Sequence, residues 1–233
     1  MKKVGVIIFT CALVLGLVAA NIFSFGRVKD RFLNFSFNFG SAQGSGNTAS
    51  EIRRVSGFKA IDVGGVFQVE IVAQQEHAVE VEADDNLLQF IRTDVRNGVL
   101  NIETSRRLKT SNPLRIRVAA PDIEELDVSG AASLAVSNLK NPELKVDSSG
   151  ASKVRLAGET AKLVIDVGGA AKIDGQNLFA ENVSVEASGA SSVQVNVAGN
   201  LRARTSGASS VIYSGNPKEV VKKTSGASTV SPR

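Results

Sequence analysis

Six short motifs decide how this chain folds: Ser129-Gly130-Ala131, Ser149-Gly150-Ala151, Gly168-Gly169-Ala170, Ser188-Gly189-Ala190, Ser206-Gly207-Ala208 and Ser225-Gly226-Ala227. Their glycines follow one another at intervals of 20, 19, 20, 18 and 19 residues. A period near 19 without helical spacing marks a β-solenoid, each repeat forming one rung. Four residues before the glycine stand Leu126, Val146, Ile165, Val185, Ala203 and finally Lys222. Four after it stand Leu134, Val154, Ile173, Val193, Val211 and Val230, and six after it Val136, Leu156, Gly175, Val195 and Tyr213. Polar residues alternate with these columns, so each rung supplies short strands whose alternate side chains point inward. Gly130, Gly150, Gly169, Gly189, Gly207 and Gly226 are then structural corners. Glycine accepts a positive φ at a tight bend, and small neighbours let corner stack on corner. The serines beside them suggest a hydroxyl ladder.

A solenoid must cover the unpaired strand edges at its two ends. Val63-Gly64-Gly65-Val66 reads as a degenerate seventh unit, followed by a long insertion before Gly130. Towards the C-terminus Pro217, Lys222, Lys223 and Pro232 replace apolar or pairing residues, which predicts a polar last rung. From Glu51 to Ala120 the period is two, and Asn97-Gly98 between apolar runs predicts a two-residue hairpin. Asp84-Asp85-Asn86-Leu87-Leu88 predicts a capped helical turn. His77, the single histidine, reads as a solvated loop residue rather than a base.

The N-terminus predicts export. Lys2 and Lys3 precede an apolar or small stretch that begins at Val4 and, with Ile22, Phe23 and Phe25, continues to Gly26. That length suits a membrane-spanning anchor, while Val18-Ala19-Ala20 would suit a cleaved signal peptide. Cys11, inside this run, reads as a small apolar residue. Residues 27–50 read as a tether, Phe-rich at Phe32, Phe35, Phe37 and Phe39, then Gly/Ser-rich from Gly40 to Ser50. The expected organisation is a signal anchor or signal peptide (1–26), a linker (27–50), a hairpin capping unit (51–120) and solenoid repeats (121–233). The fold class is all-β: a right-handed parallel β-helix of about six 19-residue rungs, preceded by an antiparallel hairpin cap and a membrane segment.

Composition narrows the chemistry. The chain has 233 residues and a formal charge of +4. Residues 1–120 hold 15 Lys/Arg against 11 Asp/Glu, and residues 121–233 hold 12 against 12. No basic run exists that could neutralise a row of phosphates, so nucleic acid is not an expected partner. One Cys and one His exclude a His/Cys zinc site and an internal disulfide.

The export signal, the run Phe58-Lys-Ala-Ile-Asp-Val-Gly-Gly-Val-Phe-Gln-Val and the repeated Ser-Gly-Ala-Ser resemble a bacterial domain family known as putative auto-transporter adhesin, head GIN domain. The resemblance spans about residues 55–230. It implies a β-helical envelope or surface protein and supplies no catalytic residues to carry over.

One column invites chemistry. Three residues before the glycine stand Asp127, Asp147, Asp166, Glu186, Arg204 and Lys223, with Asp62 in the degenerate unit. Stacked carboxylates repel one another, and such a ladder (Asp127, Asp147, Asp166, Glu186) could coordinate Ca²⁺ or hold a pair for glycoside chemistry. The plainer reading is a solvated face with one cross-rung ion pair, Glu186 to Arg204. Lys153 and Lys172 face outward in a second polar column, and Phe179 and Tyr213 are the only aromatics of the repeats, which speaks against sugar stacking.

The sequence therefore predicts a non-enzymatic, envelope-tethered binding or adhesion-like module. Its expected partners are the membrane through residues 4–26 if uncleaved, and an envelope polysaccharide or surface protein. The alternatives are a self-associating homo-oligomeric envelope protein, or a carbohydrate-active enzyme using two of Asp127, Asp147 and Asp166. No cofactor and no catalytic residue are assigned.

Overall fold

The computed structural model describes residues 40–233. The membrane segment, its possible cleavage site and the Phe-rich part of the tether lie outside the described residues. Among those described, no helix is long and apolar enough to cross a membrane.

The Gly/Ser-rich stretch expected as linker contains strands. β1 (Ala42–Gln43) pairs in parallel with β8 (Leu108–Lys109), and β2 (Thr48–Arg53) pairs antiparallel with β5 (Ala78–Asp84). Side chains fasten the segment between them. Asn86 Nδ2 donates to the Gln43 carbonyl at 2.8 Å, and Asn86 Oδ1 accepts from the Ser45 amide at 3.0 Å. The anchor is Asp84, buried, which accepts from Thr110 Oγ1 at 2.8 Å and from Asn112 Nδ2. These hydrogen bonds, Asn112 first, hold its carboxyl below the ordinary range although burial opposes them. Asp84 is therefore turned inward and is not a helix cap. The nearby helical turn is a short 3₁₀ piece, Leu88–Phe90, whose N-terminal residue Leu87 makes no side-chain cap.

β3 (Ala60–Gly65) and β4 (Phe67–Ala73) meet at the Gly64-Gly65 corner. Each then pairs in parallel with a strand of the repeat region, β3 with β10 (Glu125–Gly130) and β4 with β11 (Ser133–Ser148). Asp62 faces Asp127 and Gly65 faces Gly130, so the degenerate unit occupies a true rung. The insertion adds the next layer. β7 (Val99–Thr104) pairs in parallel with β3, and β9 (Leu114–Ala120) in parallel with β4. Only the outermost strands are antiparallel: β6 (Ile91–Arg96) on β7, β5 on β9, and β2 on β5. The expected antiparallel cap is thus a parallel layer edged by antiparallel strands, because a glycine corner at residue 65 lets the chain turn before the insertion begins. The hairpin joining β6 to β7 turns at Asn97 (φ 52°) and Gly98 (φ 80°), the two positive-φ positions its two-residue loop requires.

Beyond Gly130 the repeats stack in parallel: β11, β12 (Lys153–Val167), β13 (Lys172–Ala187), β14 (Ser192–Thr205), then β15 (Ser210–Gly215) with β17 (Thr229–Pro232), and β16 (Glu219–Thr224) on β14. From Gly130 to Gly226 six corner glycines enclose five intervals, so the repeat region makes about five turns, against about six rungs expected, and the degenerate unit continues the stack beyond Gly130. Inside lie the anticipated apolar columns. Leu126, Val146, Ile165, Val185 and Ala203 are all buried, as are Leu134, Val154, Ile173, Val193 and Val211. Gly175 leaves a gap in the third column, and there the register slips between Gly175 and Phe179 while Leu178 is fully buried.

At the end of the stack Lys222 is exposed. Its Nζ donates to the Val230 carbonyl at 3.1 Å and sits 5.3 Å from the centre of the Tyr213 ring. A charge in an otherwise inward column opposes further strand addition. The corner serines do not bond to one another in a ladder; Ser129 and Ser188 donate instead to the carbonyls of Val63 and Val167.

At the corners backbone meets backbone. Gly169 has φ 73°, and a Cβ there would lie 2.6 Å from the Gly150 carbonyl oxygen. Its neighbour Gly168 lacks a positive φ, and a Cβ there would meet nothing nearer than Ser188 Oγ at 3.6 Å. Gly169→Ala is therefore expected to cost about 1–3 kcal/mol, a fall in Tm of about 3–10 °C, while Gly168→Ala is nearly neutral. Thermal unfolding of the two variants side by side checks this.

Candidate functional site

The sheet segments that run into the corners form a flat outward face. Strand register places Asp127 on Asp147, Asp147 on Asp166, Asp166 on Glu186, Glu186 on Arg204, and Arg204 on Lys223. The column extends the other way through Asp62 to Asn101 and Asp94 of the insertion layer. Those last two have no repeat to reveal them, so sequence spacing does not find them.

The neighbouring column, five residues before each glycine, changes the electrostatics. Lys145 stands there and reaches Asp147 at 2.6 Å and Glu125 at 2.9 Å. Hydrogen bonds to these two carboxylates, Asp147 first, hold its ammonium well above the ordinary lysine range. Lys145 is thus a counter-charge inside the acidic ladder. It was visible in the sequence as the residue two before Asp147, on the same face of one strand. On the next column out, Lys162 pairs with Glu143 at 2.8 Å, and Asn200 Nδ2 donates to Asn182 Oδ1 at 2.9 Å. Arg204 Nη1 lies 2.6 Å from Glu186 Oε1, the expected ion pair.

The carboxylates that Lys145 does not touch remain frustrated. Burial, with Asp62 and then Asp147 close by, pushes the Asp127 carboxyl above its ordinary range, and Lys145 offsets this only in part. Burial, then Asp147 and Glu186, does the same to Asp166. Asp62 is raised by burial and by Glu103. Shallow hollows interrupt the face. One, of about 370 Å³, includes Asp62 and Asp127; another, of about 350 Å³, includes Asp166, Glu186, Arg204 and Lys223. Among the described residues no group of three or more His, Cys, Asp or Glu side chains is placed to hold a metal ion. Register aligns the ladder as a row, and a row does not converge on a centre.

The other residues singled out lie elsewhere. Lys153 and Lys172 are one rung apart on the strands that leave the corners. His77 is part-buried rather than solvated, its Nε2 3.0 Å from the Phe58 carbonyl oxygen and its ring edge-on to the Phe58 ring, a packing role.

The pH dependence follows from the raised carboxyls. A carboxyl whose folded-state value lies above its unfolded value binds more protons when folded, so its contribution to stability falls as pH rises through that window. Asp166→Asn removes the penalty. Its Tm is expected to exceed that of the parent by about 1–2 °C at pH 7, a gain that vanishes near pH 3, where both states are protonated. Melting curves across this range measure it.

Three comparisons bear on identity. A putative adhesin from Bacteroides fragilis NCTC 9343 superposes with a TM-score of 0.70 at 19% identity, over 83% of this chain and 100% of that one. One from Parabacteroides distasonis ATCC 8503 gives 0.61 at 19% identity over the same shares, which again shows the fold alone. No curated protein matches the chain. The profile of the family described as "Putative auto-transporter adhesin, head GIN domain" matches residues 57–217, more than half of the sequence and nearly the whole of the folded unit, and the chain belongs to that family.

Proposed function

We propose that this chain is a non-enzymatic binding module of adhesion type, tethered to the cell envelope, whose flat polar face docks another envelope or surface component. Family membership supports an adhesion-like role at the envelope or surface. The observation that carries the binding reading is the face itself. Successive rungs present in-register polar and charged side chains, including Glu125, Lys145, Asp147, Asp166, Glu186, Arg202 and Arg204, over a sheet broken only by shallow hollows. Such a surface suits an extended polymer or a flat protein partner, which needs repeated weak contacts more than one deep pocket. The N-terminal apolar run would supply the membrane tether.

Stacked Asp127, Asp147 and Asp166 are a poor basis for glycoside chemistry, because they stand in a row on an open face with only shallow hollows and the Lys145 ammonium already lies 2.6 Å from Asp147. Self-stacking through the C-terminal end is opposed by Lys222.

The test is co-sedimentation of the detergent-solubilised chain with insoluble envelope polysaccharide, with Ca²⁺ and with EDTA. Retention is expected in both, since the acidic row does not converge on a cation. Absence of retention in both would sink the polysaccharide form of this reading.

A further inference from the structure

The acidic ladder changes sign over its last rungs, and the residues there form a compact cationic group. Arg202 and Arg204 are two residues apart on β14, on one face of the strand, and Lys223 on β16 stands against Arg204 in register. With Ala203 and Val221 these three cations line a hollow of about 210 Å³. All three are exposed, and of the three only Arg204 has a carboxylate partner among the described residues, Glu186 at 2.6 Å. Two positive charges are therefore left over within one small concavity.

Beside it, sharing Arg204 and Lys223, runs the 350 Å³ hollow, lined on its far side by Ser188, Ser206 and Ser225 on consecutive rungs and by Asp166 and Glu186. The serine hydroxyls both donate and accept, and the carboxylates accept only. This side therefore suits hydroxyl groups, while the cationic side suits an anion. Guanidinium groups bind planar oxyanions through paired N–H donors, with the lysine adding a point charge.

We infer that Arg202, Arg204 and Lys223 form an anion-binding subsite for a carboxylate, sulfate or phosphate group carried on a hydroxyl-rich saccharide, whose hydroxyls lie over the serine row. The inference rests on the binding-module reading and names the ligand chemistry of that face. The acidic rungs above repel a polyanion, so they confine its charged groups to the last rungs and give the face a direction.

The test is binding of the detergent-solubilised full chain to fluorescently labelled polygalacturonate, dextran sulfate and neutral dextran, with inorganic phosphate as competitor. Both anionic polymers are expected to bind in a salt-sensitive way, neutral dextran at least tenfold more weakly, and phosphate to compete. The carboxylate and sulfate arms distinguish the source of the anion. Arg202→Gln and Lys223→Gln should each weaken anionic binding about fivefold or more, with melting temperatures unchanged. Arg107→Gln/Lys109→Gln removes two exposed cations from the separate groove beside β8 and should change binding less than twofold.

Equal binding of neutral and anionic polymer would overturn the inference. So would full binding by Arg202→Gln and Lys223→Gln, or an equal loss in the Arg107/Lys109 control. If those two variants still co-sediment with envelope polysaccharide as the parent does, this subsite fails while the binding-module reading stands. If the parent itself is not retained, that reading fails.

Discussion

At the four inner corners the alanine amide donates to the glycine carbonyl one rung away: Ala151 to Gly130, Ala170 to Gly150, Ala190 to Gly169 and Ala208 to Gly189, all at 2.8 Å. The two backbones meet so closely there that a methyl group has no room. This contact fixes which residue faces which in the strands that flank the corner, while bulges further round the coil absorb the differences in repeat length. A slip of one residue would send Ile165, Val185 and their column into water and bring Asp166 and Glu186 inside. The apolar core and the charged ladder are therefore two consequences of one register. The charged face is set by backbone hydrogen bonds, and its side chains can vary from rung to rung without disturbing the stack. That freedom is what lets the column run from Asp127 through Glu186 to Lys223.

The repeats were readable because each rung sees only its neighbours, so information that decides the fold lies within about 20 residues. Corner glycines, inward columns and the Glu186–Arg204 pair all sit at a constant offset. Where a decisive contact joins residues that share no offset, reading fails. Asp84 with Asn112, or Asn86 with Gln43, depends on partners 28 and 43 residues apart, and these turn an apparent linker into folded chain. The parallel pairing of β7 on β3 is hidden for a related reason: Val99-Leu100-Asn101-Ile102 alternates like Ala60-Ile61-Asp62-Val63, but Glu103-Thr104 stands where the glycine corner would mark a rung. Within the site, a column read alone suggested a string of unrelieved carboxylates. The face is two-dimensional, and Lys145 in the adjoining column alters the chemistry of Asp147.

Charge arrangement along the stack gives the molecule two unlike ends. Towards the insertion layer burial and neighbouring carboxylates raise the Asp62 and Asp127 carboxyls above their ordinary range, whereas the last rungs carry Arg202, Arg204, Lys222 and Lys223. The stack is edged by antiparallel strands on one side and, on the other, carries Lys222 over the Tyr213 ring. Its fold is shared with solved structures of adhesin description at under 20% identity.

The rung-by-rung stack is tested most directly by a distance between spin labels. With Cys11→Ser removing the single native thiol, labels at Ser129 and Ser225 sit on equivalent corner positions five intervals apart. At about 4.8 Å per rung their backbone separation is about 24 Å, and moving the second label to Ser188 should shorten it by about 10 Å. Narrow distributions that change by this step support the stack. A separation that is broad, or that does not shorten between Ser225 and Ser188, would contradict it.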